Sequence, residues 1–113
     1  MFHIVRRDDQ RKGAIAAVEF EGQPYGSDVS FFVGDLPPWK GPGLHKHAYS
    51  ETCLVRSGQA AMTVAGEEVV TGAGDIVVIG PETPHSFVAI GDEQLEMICI
   101  HAAERFSIEW LSD

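Results

Sequence analysis

An all-β fold with little helix is what this sequence predicts, and three observations predict it. Twelve glycines and six prolines in 113 residues interrupt the chain too often for a helix bundle. Between them lie about ten short runs that alternate in polarity or are apolar and β-branched. Almost nothing else has helical character. So many short strands bury one face most economically in a closed or double-sheet antiparallel barrel, which also limits exposed edges. The length implies one domain, residues 1–113. Forty-four per cent hydrophobic residues suffice for one modest core.

The elements follow in order. Met1–Val5 is apolar with one histidine and reads as a short edge strand. Arg6–Lys12 is a charged, solvated loop. Ala14–Gly22 is a strand in which Glu19 and Glu21 face away from Val18 and Phe20. Gln23–Ser27 carries turn residues, and Asp28–Leu36 is the next strand. The proline- and glycine-rich Pro37–Gly43 stops pairing. Strands follow near Leu44–His47 and Glu51–Arg56, and Ser57-Gly58 turns the chain. The run from Gln59 to Asp75 alternates and turns, with a hairpin corner at Ala65-Gly66 and acidic Glu67-Glu68 at its tip. Asp75–Ile79, His85–Ile90 and Gln94–His101 complete the strands. The tail from Ala102 to Asp113 is expected to make one or two helical turns, with Phe106 and Trp110 on a shared face.

Composition excludes some functions. Seventeen acidic against eight basic residues give a formal charge of −9, with no basic stripe to displace counterions from nucleic acid. The start has no apolar stretch of signal-peptide length, and no run approaches the roughly 20 apolar residues of a membrane span. The expectation is a soluble cytoplasmic protein with neither nucleic-acid nor membrane partners. Cys53 and Cys99 do not make a disulfide framework and are expected to be free thiols.

The chemistry concentrates in Gly43–Gly58. His45 and His47, one residue apart in a strand, lie on the same side of it. Glu51 follows four residues later, and His85 comes after an apolar strand and a proline-containing turn. Three imidazoles and one carboxylate suit a first-row divalent ion: iron, manganese, nickel, copper, cobalt or zinc. Four protein ligands leave one or two positions open, which permits Lewis-acid or O2 chemistry.

This pattern resembles the cupin superfamily. Its first motif, G(X)5HXH(X)3–4E(X)6G, is matched by HKH, three residues, Glu51, six residues and Gly58. Its second, G(X)5PXG(X)2H(X)3N, is matched by Gly74 and, eleven residues on, His85. Three positions depart. The first motif's opening glycine falls on Trp39, the Pro-X-Gly turn is replaced by Gly80-Pro81-Glu82-Thr83, and the final asparagine is Ala89. The resemblance implies a double-stranded β-helix, or jelly-roll, barrel in which His45, His47, Glu51 and His85 hold one divalent metal. It also implies a homodimer.

Alternation extends the candidate site. Counting from Glu51 turns Cys53 and Val55 inward, and counting from His85 turns Phe87 inward. With Glu96 facing water, Leu95, Met97, Cys99 and His101 share the opposite face. Cys53, Phe87 and Met97 are thus candidate pocket residues, and Trp39 a candidate at the pocket mouth. His101 is a candidate general acid/base or a group supporting the ligands, and Tyr49 could orient a substrate. Phe106 and Trp110 would seal the barrel or a subunit contact. His3 has no constellation around it.

The ligand set resembles that of cupin dioxygenases. The expected activity is therefore a metal-dependent oxidoreductase, dioxygenase-type, acting on a small organic substrate. The same set also serves lyases, isomerases and decarboxylases. A non-catalytic, small-molecule-binding cupin is the remaining alternative.

Overall fold

Period-two alternation sorts the strands into an inner and an outer set of side chains, and two sheets face each other across the inner one. The structure, a computed structural model, describes residues 1–111. Ten strands follow one another: β1 (Ala16–Phe20), β2 (Ser30–Leu36), β3 (His45–Lys46), β4 (Glu51–Ser57), β5 (Gln59–Val64), β6 (Glu67–Gly72), β7 (Ile76–Ile79), β8 (His85–Ile90), β9 (Leu95–His101) and β10 (Glu109–Trp110). The first sheet has the order β1-β2-β9-β4-β7 and the second β10-β3-β8-β5-β6, and all pairings are antiparallel. Two single 3-10 turns, Arg7–Asp9 and Gln23–Tyr25, are the helical content among the described residues.

Along β9, Leu95, Met97, Cys99 and His101 are buried while Glu96 and Ile100 are exposed. Along β4, Glu51, Cys53 and Val55 are buried. The register sets Val55 against Met97, Cys53 against Cys99 and Glu51 against His101. In the second sheet β8 buries His85, Phe87 and Ala89, and His45 of β3 lies opposite His85. The interior is therefore graded. One end is an apolar core of Leu36, Val55, Met62, Leu95 and Met97, and the other collects Glu51 and four histidines. Each fully buried aliphatic contributes about 1.5–3 kcal/mol, and this apolar end holds the polar end in register.

The turns follow their residues. Ala65 and Gly66 both have positive φ (50° and 81°), the conformation of a two-residue hairpin between β5 and β6. Gly58, at φ 77°, leaves no room for a side chain, since a Cβ would stand 2.5 Å from the Gln94 carbonyl oxygen. Trp39 (φ 68°) and Glu82 (φ 61°) are also left-handed. They occupy two positions where the motifs carry glycine, the residue that takes this conformation without steric cost.

Three local features differ from expectation. Met1–Val5 is not a strand; its first four residues are exposed, and Val5 accepts a hydrogen bond from the Gln10 side chain at 3.2 Å. Met1–Val5 carries apolar side chains but pairs with no strand. The tail makes no helical turn. It runs extended into β10, which pairs with β3 so that Trp110 lies opposite His45, and Leu111 N–H donates to the Leu44 carbonyl at 2.9 Å. Phe106 and Trp110 are four apart, a spacing that fits period two as well as a helical turn, and the open edge of β3 decides between them. Residues 112 and 113, the end of that tail, lie outside the described residues. Third, a bulge between Ala16 and Val18 shifts the register of β1. Glu19 then pairs with Phe32 and turns toward the interior, while Val18 and Phe20 face out with Phe31 and Val33.

Candidate metal centre

Three strand ends and one connection build the site. His45 stands on β3, His47 just past its end, Glu51 at the start of β4 and His85 at the start of β8. All four are buried, and one ligand atom from each lies within 4.8 Å of the others. Each histidine is oriented by a backbone carbonyl. His45 Nδ1 is 2.7 Å from the Gly43 oxygen, His47 Nδ1 2.8 Å from that of Ser107, and His85 Nδ1 2.8 Å from that of Thr83. A carbonyl only accepts, so each Nδ1 carries a proton, and the neutral tautomer of each ring leaves Nε2 bare and turned inward. Glu51 Oε1 lies 3.2 Å from His47 Nε2 and 3.1 Å from His85 Nε2.

The electrostatics suit a cation. Burial alone would push the Glu51 carboxyl up, but the imidazoles of His101, His47 and His85 gathered around it overcome that and hold the group well below the usual carboxylate range. Glu51 is thus a buried anion. Burial, reinforced by His85 and His47, lowers His45 and favours its neutral form. Burial opposes protonation of His47 as well, but Glu51 and the Ser107 carbonyl raise it on balance. His47 Nε2 has no hydrogen-bond partner although it is buried. An unpartnered nitrogen, two further bare nitrogens and a carboxylate on one point fit a divalent ion of the nitrogen- and oxygen-binding kind. This is a buried His-His-Glu-His site that can bind a metal.

A cavity of about 320 Å3 opens onto it. Its apolar wall includes Phe32, Phe87, Phe106, Ile108 and Trp110, and its polar lining is His45, His47, Glu51, His101 and Glu19. The Trp110 ring lies 5.1 Å from that of His45, and the Phe106 ring stands edge-on to His101 at 4.9 Å.

Among the residues singled out from sequence, Phe87 and His101 reach this cavity. Tyr49 does not line it; its hydroxyl lies 2.7 Å from His101 Nδ1. Cys53 is buried beside the carboxylate, its thiol 3.6 Å from Glu51 Oε2, and is not a wall residue. Met97 is buried in the apolar core, and Trp39 is 72% exposed and off the cavity. Phe106 and Trp110 wall the cavity rather than capping the barrel elsewhere. His3 is exposed against Tyr25. Both cysteines are free thiols. Sequence reasoning missed the Ser107 carbonyl and Glu19. The first is a backbone group with no sequence signal, and the second depends on the β1 bulge.

Comparison with known proteins agrees with this picture. Residues 32–101 match the model of the cupin domain family. The chain belongs to the cupin family. An uncharacterized protein of Methanocaldococcus jannaschii is 37% identical over 57 residues, covering 50% of this chain and 46% of that protein. This cupin thus aligns with about half the length of the curated relative it matches. Among solved structures, a conserved Klebsiella pneumoniae protein with a double-stranded β-helix domain superposes with a TM-score of 0.75 at 22% identity, covering 95% of this chain and 89% of that one. The Lactobacillus farciminis oxalate decarboxylase in its formate complex gives 0.79 at 21%, covering 92% and 34%. An oxalate oxidase gives 0.73 at 19%, covering 83% and 53%. At these identities the likeness is one of fold: a cupin double-stranded β-helix of two facing sheets.

Proposed function

We propose that this cupin is a metal-dependent oxidoreductase of the dioxygenase type that acts on a small, largely apolar organic substrate. The observation that carries the reading is the buried set of three bare imidazole nitrogens and one carboxylate opening onto an apolar cavity. His45, His47, Glu51 and His85 would hold one divalent ion, and its identity among iron, manganese, nickel, copper, cobalt and zinc is left to measurement. Such an ion supplies Lewis acidity and, where it is redox-active, electron transfer. The chain's own residues do the rest. Phe32, Phe87, Phe106 and Trp110 would bury the apolar body of the substrate and exclude water. Among the described residues no lysine or arginine lines the cavity, and the Glu19 carboxylate at its wall is paired with Arg11 at 3.2 Å. A dicarboxylate such as oxalate therefore finds no cationic partner for its second carboxylate, and a substrate with one oxygen-donor end fits better. We also propose that the protein works as a homodimer.

Elemental analysis of protein purified without an affinity tag, beside the His45→Ala/His85→Ala double variant, tests the centre. Near-stoichiometric transition metal in the parent alone is expected, and equal content in both refutes the ligand assignment. Screening apolar oxygen-bearing compounds then tests the reaction. Substrate-dependent O2 uptake is expected. Turnover without O2 would move the reading to a lyase, isomerase or decarboxylase, and ligand-dependent thermal shift without product to a binding protein.

A further inference from the structure

A fourth histidine touches the same carboxylate, and its hydrogen bonds differ from those of the other three. Glu51 divides its two oxygens. Oε1 faces the bare Nε2 atoms of His47 and His85, whereas Oε2 lies 3.2 Å from His101 Nε2 and 3.6 Å from the Cys53 thiol. His45, His47 and His85 each place Nδ1 on a carbonyl, which can only accept. His101 places Nδ1 on the Tyr49 hydroxyl at 2.7 Å, and a hydroxyl can donate. That hydroxyl already accepts from Ser107 N–H at 3.1 Å, and its other acceptor, the Ser107 carbonyl, is farther away at 3.3 Å.

If the hydroxyl donates to Nδ1, the neutral His101 ring carries its proton on Nε2, aimed at Glu51 Oε2. The opposite tautomer would set a lone pair against a carboxylate oxygen, as at His47 and His85, but on the side of Glu51 away from the ion that would satisfy both. In the structure His101 Nε2 is buried and makes no aligned hydrogen bond; Glu51 Oε2, 3.2 Å away, is an acceptor that only an Nε2–H can use. Phe32 and Phe106 pack on the ring at 5.5 and 4.9 Å and fix its plane.

We propose that Tyr49 and His101 form a positioning pair for the metal-binding carboxylate. Tyr49 O–H donates to His101 Nδ1, His101 Nε2–H donates to Glu51 Oε2, and Oε1 alone is left to bind the ion. His101 is then not a ligand, and Glu51 is held monodentate, which keeps coordination positions free for substrate. The pair also reaches His47. One residue, Ser107, donates its N–H to the Tyr49 hydroxyl and accepts from His47 Nδ1–H at its carbonyl. The proposal rests on the metal-centre reading above, and its test separates the two.

The first arm needs no metal. Long-range proton–nitrogen NMR of the metal-free protein at mildly alkaline pH should show His101 protonated on Nε2, opposite to His45 and His85. His101 protonated on Nδ1 overturns the proposal whatever the metal result. The second arm loads Co(II) into the parent, Tyr49→Phe, His101→Leu and His101→Gln, with His47→Ala as the ligand control. Tyr49→Phe and His101→Leu should still bind one ion, about 10–100-fold more weakly. Their visible bands should weaken as Glu51 swings to bidentate binding and raises the coordination number. His101→Gln, which still offers an N–H, should recover most of the parent's affinity and spectrum. Unchanged affinity and spectrum in His101→Leu, or loss of binding as complete as in His47→Ala, overturns the positioning role and leaves the metal centre intact. Failure of the parent to bind Co(II) overturns the centre instead, and the positioning role with it.

Discussion

Trp39 shows how a single residue departs from a motif without changing the fold. Its φ of 68° costs an L-residue about 1–2 kcal/mol. Glycine would relieve that and give back about 0.5–1 kcal/mol in chain entropy. The indole is largely exposed, so little packing is lost, and the Trp39 N–H bond to the Ala89 carbonyl survives the change. Trp39→Gly should therefore raise stability slightly, by about 0.5 kcal/mol. Glu82→Gly should gain less, because it also removes the 2.8 Å surface pair with Lys46. Thermal denaturation of both variants checks the order, and a destabilised Trp39→Gly would contradict it. The two cysteines make a second residue-scale case. For Cys53, the hydrogen bond with Cys99 acts downward, but burial and Glu51 push the thiol up on balance. For Cys99, the bond with Cys53 and burial push it well above the ordinary thiol range. The thiolate is the reactive form, and a raised pKa leaves less of it at any given pH. The native protein at pH 8 should thus resist a disulfide reagent that titrates both thiols in guanidinium. Rapid native reaction would mean that the strand pair opens or the thiols ionise readily.

Among the elements, β10 decides whether the site is walled. It adds an edge strand to β3 and brings Phe106, Ile108 and Trp110, at period two, to the cavity. Because the Trp110 ring stands 5.1 Å from that of His45, binding of Cu(II) or Co(II) should quench its fluorescence strongly. In Trp110→Phe most of that quenching should vanish while metal content stays the same. Equal quenching in the variant would place the ion elsewhere. The difference between β10 and the other strands also marks what a sequence can show. β4, β8 and β9 were legible because alternating side chains over six or seven residues leave one face for the interior; the same rule aligned His45 with His47, while Glu51 and His85 were legible from the spacing of the cupin motifs. β10 was not, since two residues carry no period and a spacing of four fits helix and strand alike. Nor was the inward turn of Glu19, which follows from a one-residue bulge in β1. The carbonyls that orient the histidines belong to Gly43, Thr83 and Ser107, and backbone groups leave no trace in side-chain pattern.

At the scale of the whole molecule, the first sheet has two apolar faces, and the second sheet covers only one of them. Its inner face packs on the second sheet. Its outer face runs from Ile76 and Val78 on β7, past Leu54 on β4 and Ile98 and Ile100 on β9, to Phe31 and Val33 on β2. Ile76, Val78 and Ile100 are 64%, 68% and 43% exposed in the single chain. Charge on this outer face gathers at one end, where exposed Asp35 on β2 stands opposite Glu96 on β9 and Arg56 lies on β4; toward the other end the face is apolar apart from Thr52. A contiguous apolar face of this kind marks an interface, and a second copy of the same face, packed sheet on sheet, is the partner that suits the proposed homodimer. Ile100 sits on β9, the middle strand of that sheet. Ile100→Lys would put an unpaired charge at the centre of the contact. That should weaken association by at least about 100-fold and leave the fold unchanged, because the position faces away from the core. Light scattering at micromolar concentration should give twice the chain mass for the parent and the chain mass for the variant, with matching circular dichroism. A monomeric parent would exclude the dimer at that concentration. A dimeric, folded variant would move the interface away from β9, toward the groove that Phe31 and Val33 share with Val18, Phe20 and Tyr25.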